Sequence, residues 1–295
     1  MGLFFSSDRF TRPGPGVRPD APRKKGVARL AEIMGRDMWN FFRAGFLAFL
    51  GCLPFIIGMF FAVETHALLF MLLAGIIGGL IAGPELSAMA DTVLRSLRDE
   101  PGYWWETYRR VWKRNARESL VPGMLTGLVL SMQIFTLFHM SVISAGIVTW
   151  VLLILSFVVT LGLESYIWPQ IALLDLPLYG ILKNSLLLFL GYLPRSLGAI
   201  AIKAVYWGAI LLFFPLTTII LPFTNFWLPM LPALLCIYQP LNKCFTIEST
   251  INKMREDELN AALAKDNEPL PENSTEKAEE STEASSDDSS SDDVQ

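Results

Sequence analysis

The feature that most constrains this chain is a succession of apolar runs, each close to the ~20 residues that a helix needs to cross ~30 Å of hydrocarbon. They cover Asn40–Val63, Ala67–Ala90, Leu120–Phe138, Ile143–Leu163, Gly198–Leu221 and Phe226–Phe245. A lipid interior offers no partners to open backbone groups, so such runs are expected as helices. The predicted fold class is therefore all-α: a polytopic transmembrane helix bundle of about six spans, supplemented by interfacial helices. A seventh apolar stretch, Leu178–Leu190, is too short to cross and is interrupted by Lys183-Asn184-Ser185, which predicts an interfacial or re-entrant helix.

The connections alternate in charge. Those near residues 64–66, 139–142 and 222–225 contain no Lys or Arg. The others carry nine basic residues through Arg43, seven from Arg95 to Arg117, three at Lys183, Arg195 and Lys203, and five from Lys243 onward, which is the full inventory of 24. Positive charge is retained on the cytoplasmic side of membranes, so both termini are predicted cytoplasmic, in a multi-pass protein of the plasma membrane.

Charge also divides the chain lengthwise. Of its 28 acidic residues, 14 lie in residues 256–295 with only Lys265 and Lys277 to oppose them. The remaining 255 residues hold 22 Lys and Arg against 14 Asp and Glu, so the overall −4 conceals a basic body. Three segments are expected: a basic, Pro-rich cytoplasmic arm over residues 1–30, a transmembrane helical domain over 31–255, and a disordered acidic Ser/Glu/Asp tail over 256–295.

The stretch from Gly75 to Arg117 holds the most distinctive patterning. Gly75, Gly79 and Gly83 stand four apart, with Ala74, Gly78 and Ala82 on the neighbouring stripe. Small residues at that spacing let helix backbones approach closely, within the chain or between two copies. Pro84 removes a backbone hydrogen bond beside this seam and predicts a bend. Beyond a turn at Asp99-Glu100-Pro101-Gly102, placing residues 103–118 at 100° per step puts Trp104, Trp105, Tyr108 and Trp112 on one arc. Arg109, Arg110, Lys113, Arg114 and Arg117 fall on the opposite arc. This predicts an interfacial helix over 103–118, with its aromatics in the headgroup boundary and its cations on anionic inner-leaflet lipids. A membrane-surface helix accounts for both halves of that pattern, so no nucleic-acid partner is expected.

Ionisable residues in apolar surroundings are costly and therefore candidates for function. Glu85, Glu164, Lys183 and Lys203, with Asn184, are expected near the inner interface as a polar cluster. His66 and His139 fall in tight turns on the other side and read as isolated interface residues. Cys52, Cys236 and Cys244 lack the spacing of a metal site or a disulfide framework. There is no phosphate-cradling loop, nucleophile elbow or carboxylate pair. No catalytic, cofactor-binding or metal-binding residues are expected, and the chain does not read as an enzyme.

Several short motifs, in order, resemble those of the YesL-like family of bacterial membrane proteins of unknown function. They are Gly14-Pro15-Gly16-Val17 with Pro22-Arg23-Lys24-Lys25-Gly26, Cys52-Leu53-Pro54, Gly83-Pro84 with Val93-Leu94-Arg95, Asp99-Glu100, Trp105, and Lys113 with Asn115. Leu182-Lys183-Asn184 and Leu193-Pro194 complete the resemblance, which covers most of residues 12–200. Glu85 departs from it by standing where the family pattern has a small residue, and Ala116-Arg117 replaces a more polar continuation. The resemblance implies a multi-span component associated with sugar-uptake systems of Gram-positive bacteria and carries over no binding residues. The leading expectation is a non-enzymatic accessory or interaction component of a carbohydrate uptake system, partnered by a transporter subunit or by a second copy of itself. The alternatives are a small solute permease and a lipid-interacting scaffold or sensor.

Overall fold

The computed structural model describes residues 23–100, 103–140, 142 and 146–266, and among them it contains helices and turns but no strand. The basic arm through residue 22 and the tail from residue 267 lie outside the described residues, as do Pro101 and Gly102 of the expected turn. The helices are α1 (Gly26–Thr65), α2 (Leu68–Arg98), α3 (Trp104–Phe138), α4 (Ile147–Leu173), α5 (Leu178–Gly191), α6 (Leu193–Leu212) and α7 (Trp227–Phe245). Six segments are long and apolar enough to cross a membrane: α1 to α4, α6, and Leu221–Phe245, which contains α7. The chain is thus an all-α bundle of the membrane type. Its outward surface agrees, because Ile57 and Phe60 of α1, Leu152 and Leu155 of α4 and Val205 of α6 are all exposed. In water such apolar area is a liability, whereas in hydrocarbon it is ordinary contact with solvent.

Helix α2 is the centre of the bundle and packs most extensively against α3 and then α1. A β-carbon on Gly75 would meet Ser131 Oγ and the Leu128 backbone, one on Gly79 the Gly123 carbonyl, and one on Gly83 the Ser119 carbonyl. Each step of four along α2 is matched by a step of four backward along α3, which is antiparallel packing with the two backbones in contact. The neighbouring stripe serves α1, where Gly78 lies on the Phe55 backbone and Ala74 on Gly58. One turn of α2, Ala74–Gly78, is a π-turn, so the helix widens at the residues that touch both neighbours.

Helix α1 begins at Gly26 and α4 runs on to Leu173, both beyond the apolar runs, and three further segments depart from the sequence expectation. The segment 103–118 is not a separate interfacial helix but the first half of α3, which runs unbroken for 35 residues. Its buried positions Tyr108, Val111, Asn115 and Ser119 continue into Pro122, Gly123 and Gly127, so a single stripe faces the bundle throughout. Pro122 sits inside this helix without ending it. The fifth candidate span starts earlier and stops at Leu212 rather than Leu221. Pro194 is tolerated in its first turn, and the downstream Pro215 and Pro222 cannot continue a ladder that needs their N–H groups. Finally, residues 246–295 form a unit of their own, in which α8 (Ile247–Asp266) is helical well past residue 256. Met254, Leu259, Ala261, Ala262, Leu263 and Ala264 are strong helix formers, and here local propensity prevails over the acidity of the tail.

Helix α5 has 14 residues, about 21 Å at ~1.5 Å per residue, which is shorter than the hydrocarbon layer. It lies along α4, where Gly162 leaves room for the Phe189 ring and Gln170 Nε2 donates to Ser185 Oγ at 2.8 Å.

Candidate functional site

The first turns of α1, the end of α2 and the start of α3 meet at one end of the bundle. Helix α2 finishes at Arg98, and its last carbonyls have no partner inside the helix. Arginines supply them: Arg23 Nη2 donates to the Arg98 carbonyl at 3.2 Å, Arg29 Nη2 to Leu97 at 3.1 Å and Arg36 Nη2 to Ser96 at 2.8 Å. Asp99, which follows in the left-handed conformation at φ 59°, accepts from the same side chains. Arg29 reaches it at 2.6 Å and Arg23 at 3.2 Å, and Arg36 also pairs with it. Cations near a helix C-terminus oppose its dipole, so the clamp satisfies geometry and charge together. Burial by itself would raise the Asp99 pKa, but the hydrogen bonds and charges of Arg36 and Arg29 hold it below the usual carboxylate range.

Beside this clamp lies a cleft of about 300 Å³. Its walls are Arg36, Asp37 and Asn40 of α1, Thr92, Arg95 and Ser96 of α2 with Asp99 and Glu100, and Trp104, Thr107 and Tyr108 of α3. The charges in the wall are paired with one another. Arg36 holds Asp37 at 2.9 Å as well as Asp99, and Arg95 holds Asp91 at 2.8 Å and approaches Glu100 at 3.6 Å. Arg98, just behind, forks onto Glu100 at 2.9 and 3.0 Å. The aromatic wall continues inward: Trp104 and Tyr108 pack with ring centres 5.2 Å apart, and Arg43 stacks over Trp104 and Trp39 at 5.7 and 5.1 Å.

Glu85 explains why the aromatics point this way. Tyr108 Oη donates to it at 2.5 Å and Trp112 Nε1 at 2.9 Å, so the carboxylate on α2 ties down the aromatic arc of α3. Tyr108 is therefore buried, and Trp112 and Trp104 face the bundle rather than a headgroup layer, unlike the sequence expectation. Trp105, Arg109, Arg110, Lys113 and Arg117 remain exposed on the far side. Arg110 pairs with Glu106 at 2.9 Å, and Arg114 instead donates to the Ala172 carbonyl at 2.7 Å, fastening α3 to the end of α4.

The expected five-residue polar cluster does not form. Glu85 belongs to the Tyr108–Trp112 site, whereas Glu164 accepts from Trp168 Nε1 at 3.2 Å and lies 3.9 Å from the buried Lys203. The void beside that pair is about 10 Å³, room for a single water at most. Lys183 is exposed, and neither it nor Asn184 has a side-chain partner among the described residues, because α5 turns its Ser185 edge toward α4.

Two polar features gave no signal in the sequence. Gln133 of α3 donates to Ser156 and Thr160 of α4 at 2.7 and 2.8 Å, a link visible only once the helices are paired. At the end of the bundle opposite the clamp, His66 Nδ1 and His139 Nε2 are 2.6 Å apart, so the histidines are partners rather than isolated residues. The second nitrogen of His139 lies 2.8 Å from the Phe135 carbonyl, which can only accept, so that nitrogen carries a proton.

Taken together, the fold and this site define a helical bundle with six candidate membrane spans and a polar, internally neutralised cleft at its charged end. Comparison with protein-family models, curated proteins and solved structures finds no match to the chain.

Proposed function

We propose that the chain is a non-enzymatic accessory component of a plasma-membrane uptake system, with both termini in the cytoplasm and the charged end of the bundle as its working face. The observation that carries this reading is where the space lies. The cleft of about 300 Å³ is built from the charged helix ends, whereas the Glu164–Lys203 pair within the spans adjoins only about 10 Å³. A permease needs polar room at mid-depth, and a component that receives a ligand or partner from one side needs it at an end. The distribution of Lys and Arg supports the cytoplasmic assignment of that end. The exposed Arg109, Arg110, Lys113 and Arg117 suit contact with anionic lipid headgroups or an acidic partner surface. Carbohydrate uptake is the system implied by the YesL-like resemblance, with a transporter subunit as the partner.

Cross-linking in native membranes, followed by purification in mild detergent and mass spectrometry, should return a defined transporter subunit. A lone monomer under several gentle conditions would overturn the accessory reading. Single cysteines placed at Glu64 and Thr224 in a background lacking Cys52, Cys236 and Cys244 should react with an impermeant maleimide on intact cells, and one at Ser249 should not. Labelling at Ser249 alone would reverse the topology.

A further inference from the structure

We propose that the cleft is a binding site for an uncharged, polyhydroxylated small molecule about the size of a mono- or disaccharide, held by Asn40, Ser96, Thr107 and Trp104. The charged groups of the wall are committed to one another and the neutral ones are not. Every charged side chain described in the wall is engaged by another residue: Arg36 by Asp37 and Asp99, Arg95 by Asp91 and Glu100. An ionic ligand would have to break one of these pairs and leave its partner uncompensated in a partly buried setting, which is costly. The neutral polar groups are in the opposite condition. The side chains of Asn40, Ser96 and Thr107 make no hydrogen bond with any described residue.

Three helices thus bring one carboxamide and two hydroxyls to the same cavity, all unpaired. The carboxamide and hydroxyls both donate and accept, as the hydroxyls of a polyol do. The Trp104 and Tyr108 rings form an apolar wall against which the C–H face of a pyranose can lie. The volume of about 300 Å³ is at the lower end of the ~300–1,000 Å³ found for small-molecule sites. Such a site needs few polar groups provided they converge, and these do.

This inference rests on the reading of the charged end as the working face, but it requires no protein partner. The test uses the full-length chain in lipid nanodiscs, titrated with D-glucose and maltose as neutral probes and with D-glucuronate and D-glucosamine as charged counterparts of similar shape. Binding is followed by tryptophan fluorescence and calorimetry. At least one neutral probe should bind saturably and the charged ones should not. Asn40→Ala should weaken binding ~10-fold, the usual consequence of losing one hydrogen bond. Thr107→Trp, which fills the cleft, should abolish it. If Thr107→Trp fails to fold by circular dichroism, Asn40→Ala decides the matter, since Asn40 has no side-chain hydrogen bond to lose among the described residues. The proposal is overturned if neither neutral probe binds saturably, if a charged probe binds as well as its neutral counterpart, or if Asn40→Ala binds like the wild type. Absence of probe binding with the transporter subunit still recovered would overturn the site alone, and binding without a recovered subunit would overturn the accessory role alone.

Discussion

Gly79→Leu is expected to separate α2 from α3 and to destabilise the bundle by on the order of 3 kcal/mol or more. A β-carbon at Gly79 would collide with the carbonyl of Gly123 and come within 3.1 Å of the Met124 Cα, so what obstructs it is backbone rather than a movable side chain. The relation is mutual, since a β-carbon on Gly123 would strike the Gly79 carbonyl. In lipid, helix association depends on such close packing because apolar contact with the tails is nearly as good, so little remains if the seam opens. Glu85 would then lose the Tyr108 and Trp112 donors, and the cleft would lose its α3 wall. Gly208→Leu is the control, because nothing lies within 4 Å of a β-carbon there. Thermal unfolding in mild detergent should show a large loss for Gly79→Leu and little change for Gly208→Leu. Equal behaviour of the two would refute the seam.

Asp99→Asn is expected to cost on the order of 2–3 kcal/mol at neutral pH. Asparagine tolerates the left-handed backbone at this position, so the substitution removes charge with little added strain. Arg29 is buried and would retain Glu32 as a carboxylate partner, with the Leu97 carbonyl and the neutral carboxamide oxygen of the new side chain as its other acceptors. The pH dependence follows from the lowered pKa of Asp99 in the folded protein. A carboxyl with a depressed folded pKa contributes its stability above the unfolded value and loses it as pH falls through the folded one. The gap between wild type and Asp99→Asn should therefore be full at neutral pH, begin to narrow below about pH 4, where the unfolded carboxyl takes up its proton, and close only below the depressed folded value, where the native carboxyl becomes neutral too. A gap that persists unchanged into acid would show that the clamp works through hydrogen bonds and not through charge.

Much of the architecture was legible in the residues because the bilayer imposes simple rules. Run length gave the number of candidate spans, and spacing four apart marked Gly75, Gly79 and Gly83 as a contact stripe. What misled was a local amphipathic pattern. The aromatic and basic arcs of residues 103–118 have the periodicity of a surface helix, and periodicity cannot tell whether an apolar arc meets lipid or another helix. Glu85 resolves that ambiguity, but its partners are 23 and 27 residues away and become neighbours only when α2 and α3 run antiparallel.

The site was less legible than the fold, for the same reason. Asn40, Ser96 and Thr107 are single neutral residues with no spacing to distinguish them, and His66 and His139 are separated by 73 residues. Composition and periodicity alone determined that this chain is helical, apolar along six stretches and charged between alternate ones, since those properties depend only on near neighbours and on the solvent around each segment. Tertiary structure alone decided which charges cancel and which polar groups remain free. That depends on pairs brought together from three helices, and a cleft is defined by what its walls have left unbonded.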